Sequence, residues 1–202
     1  DSYNVAVGDN SGAAVTTGTF NVLLGGNSGD ALTDADFNVA VGMNALTTDT
    51  LGSKSTAVGQ SALANQNFTT ATDTHNTAVG YFAGVNITTG PLNTLVGSLA
   101  GLAMTSGNNN TALGYAALST DTLGDRNVAI GVQALGTQNF TTSTDSYNVA
   151  VGYDAGRQIT TGTLNTLMGG LTGDALTSGN SNTAIGYSSL TADTLGDRNV
   201  AL

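Results

Sequence analysis

The chain is predicted to be an all-β parallel solenoid of about twelve coils, on three observations. A pentad Asn-Val/Thr-Ala-aliphatic-Gly recurs through all 202 residues, glycine recurs at fixed places within each recurrence, and no helical stripe competes with either. Pentads begin at Asn4, Asn21, Asn38, Ser55, Asn76, Asn93, Asn110, Asn127, Asn148, Asn165, Asn182 and Asn199. Their spacing is 17, 17, 17 and 21 residues, and then the cycle repeats, for a superperiod of 72. Residues 1–72 and 73–144 are therefore two four-coil superrepeats and 145–202 a third, truncated one, in one continuous solenoid.

Within a coil the Asn or Ser that opens the pentad is position 0. Position 1 is Val or Thr and position 3 a large apolar residue, from Val7 and Leu24 to Ile185 and Leu202. Side chains alternate along a strand, so positions 1 and 3 share one face, and their apolar character assigns that face to the core. Position 4 is Gly in all eleven coils long enough to show it, where a corner needs backbone freedom. A second glycine at position 14, as in Gly18, Gly90 and Gly162, marks a second corner. Helix is excluded because each Gly costs about 1 kcal/mol relative to Ala in a helix interior, and the chain holds 28.

Bulk moves around the coil in a regular way. In the first two coils of each superrepeat position 8 is Gly and position 11 apolar, as in Gly84 with Ile87 and Gly101 with Met104. In the third and fourth, position 8 is Leu (Leu46, Leu63, Leu118, Leu135, Leu190) and position 11 is Asp or Gln. Position 13 then offers Leu51, Phe68, Leu123, Phe140 or Leu195, so interior volume is conserved. The four extra residues of every fourth coil lie in 67–72 and 139–144 and form a longer corner loop. Twelve rungs at the spacing of neighbouring strands span roughly 55 Å, and one superrepeat roughly 19 Å. Neither end carries a polar or helical cap, so the chain is expected to be a segment of a longer one and to meet other fibre segments end to end.

Position 2 points away from positions 1 and 3 and would face solvent in a lone solenoid, yet it is Ala or, in Leu23, Leu95 and Leu167, Leu. A strand apolar on both faces is covered on both, so these leucines are expected to be subunit contacts in a parallel homo-oligomer, a trimer. The Asn column (Asn4, Asn21, Asn38, Asn76, Asn93, Asn110, Asn127, Asn148, Asn165, Asn182, Asn199) is expected to form a structural ladder of stacked amides.

Composition narrows the chemistry. Four Lys and Arg against 14 Asp, for a net charge of −10, cannot build the cationic stripe that nucleic acid needs. Without Cys there is no disulfide framework or thiolate metal site, and no apolar run is long enough for membrane insertion. His75, the single histidine, has Tyr3 and Tyr147 as its equivalents and no nucleophile at a fixed spacing, so no catalytic residue is assigned and the chain is not expected to be an enzyme. The carboxylate pairs Asp34 with Asp36, Asp121 with Asp125 and Asp193 with Asp197 lack a calcium-loop spacing. The Arg126 and Arg198 that follow two of them point to surface ion pairs, so no metal and no cofactor is expected. Gly25–Gly29 and Gly169–Gly173 lack the Lys-Ser/Thr of a phosphate loop and are assigned to rung corners.

The unit, clearest in Asn110-Thr-Ala-Leu-Gly-Tyr-Ala-Ala-Leu118 and Asn182-Thr-Ala-Ile-Gly-Tyr-Ser-Ser-Leu190, resembles the repetitive shafts of phage tail fibres. It is also similar to the head repeats of trimeric autotransporter adhesins, whose coils carry an Asn/Ser-Val-Ala-Ile-Gly core. It departs from the adhesin pattern in its 17-residue coil and 72-residue superperiod. The resemblance implies an elongated, homotrimeric structural element of a virion, a cell surface or the extracellular space. Two readings then compete with a plain spacer. The solenoid face could itself adhere to a host-surface glycan, with Tyr81, Tyr115, Tyr153 and Tyr187 at position 5 as an aromatic platform. The Thr column at position 12 (nine of eleven coils) could bind ice, though it is one column wide and broken at Asn67 and Asn139.

Overall fold

A computed structural model describes residues 2–202. Twelve short strands, from Val5–Val7 to Val200–Ala201, stack in chain order into one parallel sheet. Among the described residues there is no helix. Equivalent residues pair throughout: Val5 with Val22, Ala6 with Leu23 and Val7 with Leu24 at one end, Thr183 with Val200 at the other. Where a coil carries four extra residues the strands stay in register, Thr56 opposite Thr77, because the excess is absorbed at the corner. There a second, two-residue pairing forms, Gly52–Ser53 with Thr72–Asp73, and it recurs as Gly124–Asp125 with Thr144–Asp145.

Between strands the main chain still bonds rung to rung. The Gly12 amide donates to the Ser28 carbonyl at 3.0 Å, Thr16 to Thr33 at 3.0 Å, and Phe37 to Thr19 at 3.0 Å. Buried backbone groups must find partners somewhere, and here the neighbouring coil supplies them around most of its circumference.

The corners are built differently from the two-glycine expectation. Position 4 does require Gly: Gly80 sits at φ 140°, and a Cβ there would lie 2.5 Å from the Gly97 carbonyl oxygen. At position 14 the backbone is ordinary and the need is for close approach, since a Cβ on Gly107 would lie 2.6 Å from the Gly124 oxygen. The other bends use non-glycine residues in the left-handed region. They occur just before position 0 (Phe20, φ 58°; Leu92, 64°), at position 6 (Leu99, 61°; Ala116, 53°) and at position 8 where Leu stands there (Leu46, 53°). Each such residue costs about 1–2 kcal/mol, offset by the ladder bonds that the bend lets both neighbouring coils make.

The inside and outside of the strand are the reverse of the sequence expectation. Position 2 is the buried column: Leu23, Ala40, Ala57, Ala78, Leu95 and their equivalents in every coil but the first and last have no exposed surface. Positions 1 and 3 face outward, with Leu113 45% and Met168 43% exposed beside fully buried Ala112 and Leu167. The physical reason is space. The coil is narrow, and opposite the strand it already holds the bulk at positions 8 and 11, so only Ala fits beside Leu46 or Leu63. Leu enters position 2 only in coils where position 8 is Gly.

Candidate functional site

Four features of the rod carry chemistry, and each follows from the same stacking. The first is the Asn column. Asn93 is fully buried, and its Oδ1 accepts the main-chain N–H of Asn110 at 2.9 Å while its Nδ2 donates to the Gly107 carbonyl at 2.8 Å. The same two bonds recur for Asn21, Asn38, Asn110, Asn148 and Asn165. Each amide therefore ties the opening of its own coil to the end of that coil and to the opening of the next. Side-chain amide contacts, such as Asn182 Nδ2 to Asn165 Oδ1 at 3.0 Å, are added at some rungs.

The second feature is a buried polar node that recurs in each complete superrepeat. Asp49 and Gln66, both at position 11, have no exposed surface. Gln66 Nε2 donates to Asp49 Oδ2 at 2.5 Å and to Ser55 Oγ at 3.0 Å. The Gly52 and Phe68 amides donate to Asp49 Oδ1 at 3.1 and 2.9 Å. Asn76 Nδ2 closes the network on Gln66 Oε1 at 2.8 Å. Asp121, Gln138 and Asn148 repeat it, with Gly124 and Phe140 as the backbone donors. The sequence presents these residues as displaced from the interior. They remain inside, beside Phe68 and Phe140, because both oxygens of each carboxylate accept hydrogen bonds from neutral donors.

The third feature is the outward strand face. Its 24 positions, two per coil, hold only Val, Leu, Ile, Met and Thr. Leu23, Leu95 and Leu167 do not belong to it, and their assignment as subunit contacts is corrected. Leu95 fills the space beside two glycines: a Cβ on Gly84 would lie 2.7 Å from its Cδ1, and one on Gly101 would lie 3.0 Å from it. Leu23 and Leu167 serve Gly12, Gly29, Gly156 and Gly173 in the same way.

The fourth is a set of exposed aromatic residues. Tyr81, Tyr115, Tyr153 and Tyr187 stand at position 5, past the position-4 corner. A separate column, just before position 0, stacks Tyr3 on Phe20 and Phe20 on Phe37 with centroids 5.1 Å apart, which occupies the ring faces and leaves the edges outward.

The remaining sequence candidates scatter. His75 is exposed. Asp121 points inward while Asp125 bonds the Asn108 amide at 2.8 Å and Ser143 Oγ at 2.8 Å, so the pair does not converge. Asp36 is held by the Thr19 amide at 2.6 Å. Arg126 and Lys54 do not pair with the carboxylate beside them: they reach across the long corner to Asp145 and Asp73, the latter at 2.5 Å, and Arg126 also lies over the Tyr147 ring at 5.6 Å. Gly25–Gly29 and Gly169–Gly173 lie at coil corners. Along the Thr column every hydroxyl from Thr16 to Thr177 donates to the next coil, as from Thr33 to the Thr50 carbonyl at 3.0 Å. Among the described residues no three metal-ligating groups converge and no cavity opens. Compared with known proteins, the chain matches no family model, no curated protein and no solved structure.

Proposed function

We propose that this chain is a structural shaft: a stiff, non-enzymatic spacer in a fibre on a virion, a cell surface or in the extracellular space. The observation that carries the reading is the unbroken parallel ladder, twelve coils in register with the interior columns filled. Such a body translates residue number into length, roughly 55 Å here. The similarity of its unit to tail-fibre shafts and adhesin heads points the same way.

The same reading takes the outward strand face as the seam of a parallel homotrimer. The strip is roughly 55 Å long and one strand, roughly 10 Å, wide. That is about the upper size of an apolar patch on a monomer, and near the 800 Å² per partner of a standard interface once flanking residues are added. Copies stacked in parallel share one rung spacing, so a contact made at one rung repeats at all of them.

Light scattering coupled to size exclusion tests both parts. A mass three times the 20.0 kDa of the chain, with an elongated profile, is the expected result. Replacing Val96 and Ile130 by Asp on the outward face should return it to a single-chain mass with the β signature kept. A globular profile, or a single-chain mass for the unaltered protein, overturns the shaft or the trimer respectively.

A further inference from the structure

We infer that the position-5 tyrosines form a binding track for a neutral, extended β-1,4-linked polysaccharide. The inference rests on the rod geometry and on the view that the solenoid surface itself adheres, and it does not need the trimer. Tyr81, Tyr115, Tyr153 and Tyr187 are 51, 52, 58 and 78% exposed, and unlike the exposed Tyr3, Phe20 and Phe37 they do not stack on one another. They occupy the fifth, seventh, ninth and eleventh coils. Because the intervening strands pair without a register shift, each lies two rungs from the next, the long corner between Gln138 and Asp145 notwithstanding.

Two rungs are roughly 9.5 Å, close to the advance of one disaccharide in an extended β-1,4-linked chain. In such a chain alternate sugars are turned over, so the same ring face recurs once per disaccharide. An α-linked glucan coils and does not keep that interval. Four rings on a hydrogen-bonded scaffold therefore present a row of platforms whose spacing is fixed before the ligand arrives, which lowers the ordering cost of binding. The residues between them, Ser98, Val132 and Gly170, are no larger than Val and leave the rings proud of the surface. Tyr187 is steadied by lying over Gly170, with its Cδ2 3.5 Å from where a Cβ would stand, and Tyr81 by a tilted contact with Phe82 at 4.4 Å.

Charge selects the ligand class. With four basic residues against 14 acidic ones the rod repels an acidic polysaccharide, so a neutral one is specified. The track also lies beyond the glycine corner, off the strip assigned to the trimer seam.

The test is retention of the 202-residue protein on microcrystalline cellulose and on chitin, with insoluble starch as the α-linked control. The unaltered chain should be retained on at least one β-1,4 polymer and pass through starch. Tyr115→Ala with Tyr153→Ala should weaken retention roughly tenfold or more, as loss of aromatic anchors does. Tyr115→Phe with Tyr153→Phe should keep it, because the ring does the stacking. Both rings are exposed, so the thermal transition of each variant should match the parent and exclude misfolding. Passage through both β-1,4 polymers, equal retention on starch, or retention unchanged in the alanine variant overturns the inference. The light-scattering mass of the same samples reports separately on the shaft.

Discussion

Leu95 and Gly84, eleven residues apart and on adjacent coils, share one volume: a methyl group added at Gly84 would fall 2.7 Å from Leu95 Cδ1. The interior of this rod is thus filled by an exchange in which a leucine on the strand compensates for a glycine on the opposite wall.

That exchange predicts a coupled pair. Leu95→Ala should cost about 2–5 kcal/mol through the cavity it leaves, and Gly84→Ala should be destabilising by overpacking. The two together should cost less than their sum, with a coupling of about 0.5–3 kcal/mol. Denaturant unfolding of the two single variants and the double variant measures it, and strict additivity would dissolve the shared volume.

The corner glycines make a sharper contrast. Gly80→Ala places a Cβ against the Gly97 carbonyl at a φ of 140°, where neither backbone can yield, and should lower stability by about 3 kcal/mol or more. Ala116→Gly, at φ 53°, relieves a left-handed alanine and should be neutral or stabilising by up to about 1 kcal/mol. Melting curves of the two variants should move in opposite directions, or only the first should move.

Loss of a ladder amide should be felt on two coils at once. Asn93→Ala strands the Gly107 carbonyl and the Asn110 N–H, both buried, for about 2–5 kcal/mol in total. Asn93→Asp keeps the acceptor and loses the donor, so it should fall between the parent and the alanine variant unless the buried charge adds its own cost. Hydrogen exchange at Asn110 and its neighbours is the local readout.

The buried node separates breaking a polar pair from replacing one. Gln138→Leu leaves the Asp121 carboxylate inside without its Oδ2 donor and strands Asn148 Nδ2 of one partner, and should cost about 3–5 kcal/mol. Adding Asp121→Leu should recover much of that stability. What the double variant should lose is the fixed long corner, because the Gly124 and Phe140 amides no longer have the Asp121 carboxylate to donate to. Faster hydrogen exchange at Gly124 and Phe140 would report it.

The fold was legible because the repeat is exact enough to be counted, and stacked coils are what a 17-residue period rich in glycine can form. The inside-out reading of the strand came from treating large apolar residues as core and alanine as filler. In a coil this narrow the opposite holds, and the pairing of Leu23, Leu95 and Leu167 with glycine at position 8 was the signal that they face inward. The node at Asp49 and Gln66 was hidden because burial of a carboxylate depends on donors, the Gly52 and Phe68 amides, that only the closed corner brings together. The spacing of the tyrosines, alternate coils about 10 Å apart, was readable in the repeat, and the strand register keeps it across the long corner.

The hydrogen bonds of this rod run along its length, and that decides how it answers a load. Compression and bending press coils onto coils and are resisted by the whole cross-section. Tension applied through a chain end instead peels the outermost coil, bond after bond, while the rest stays closed. Each coil that opens exchanges one rung of roughly 5 Å for about 55–60 Å of extended chain. Under a pull the shaft is therefore a rigid strut that pays out slack in steps, dissipating work at each, and it can rewind coil by coil when the force is released.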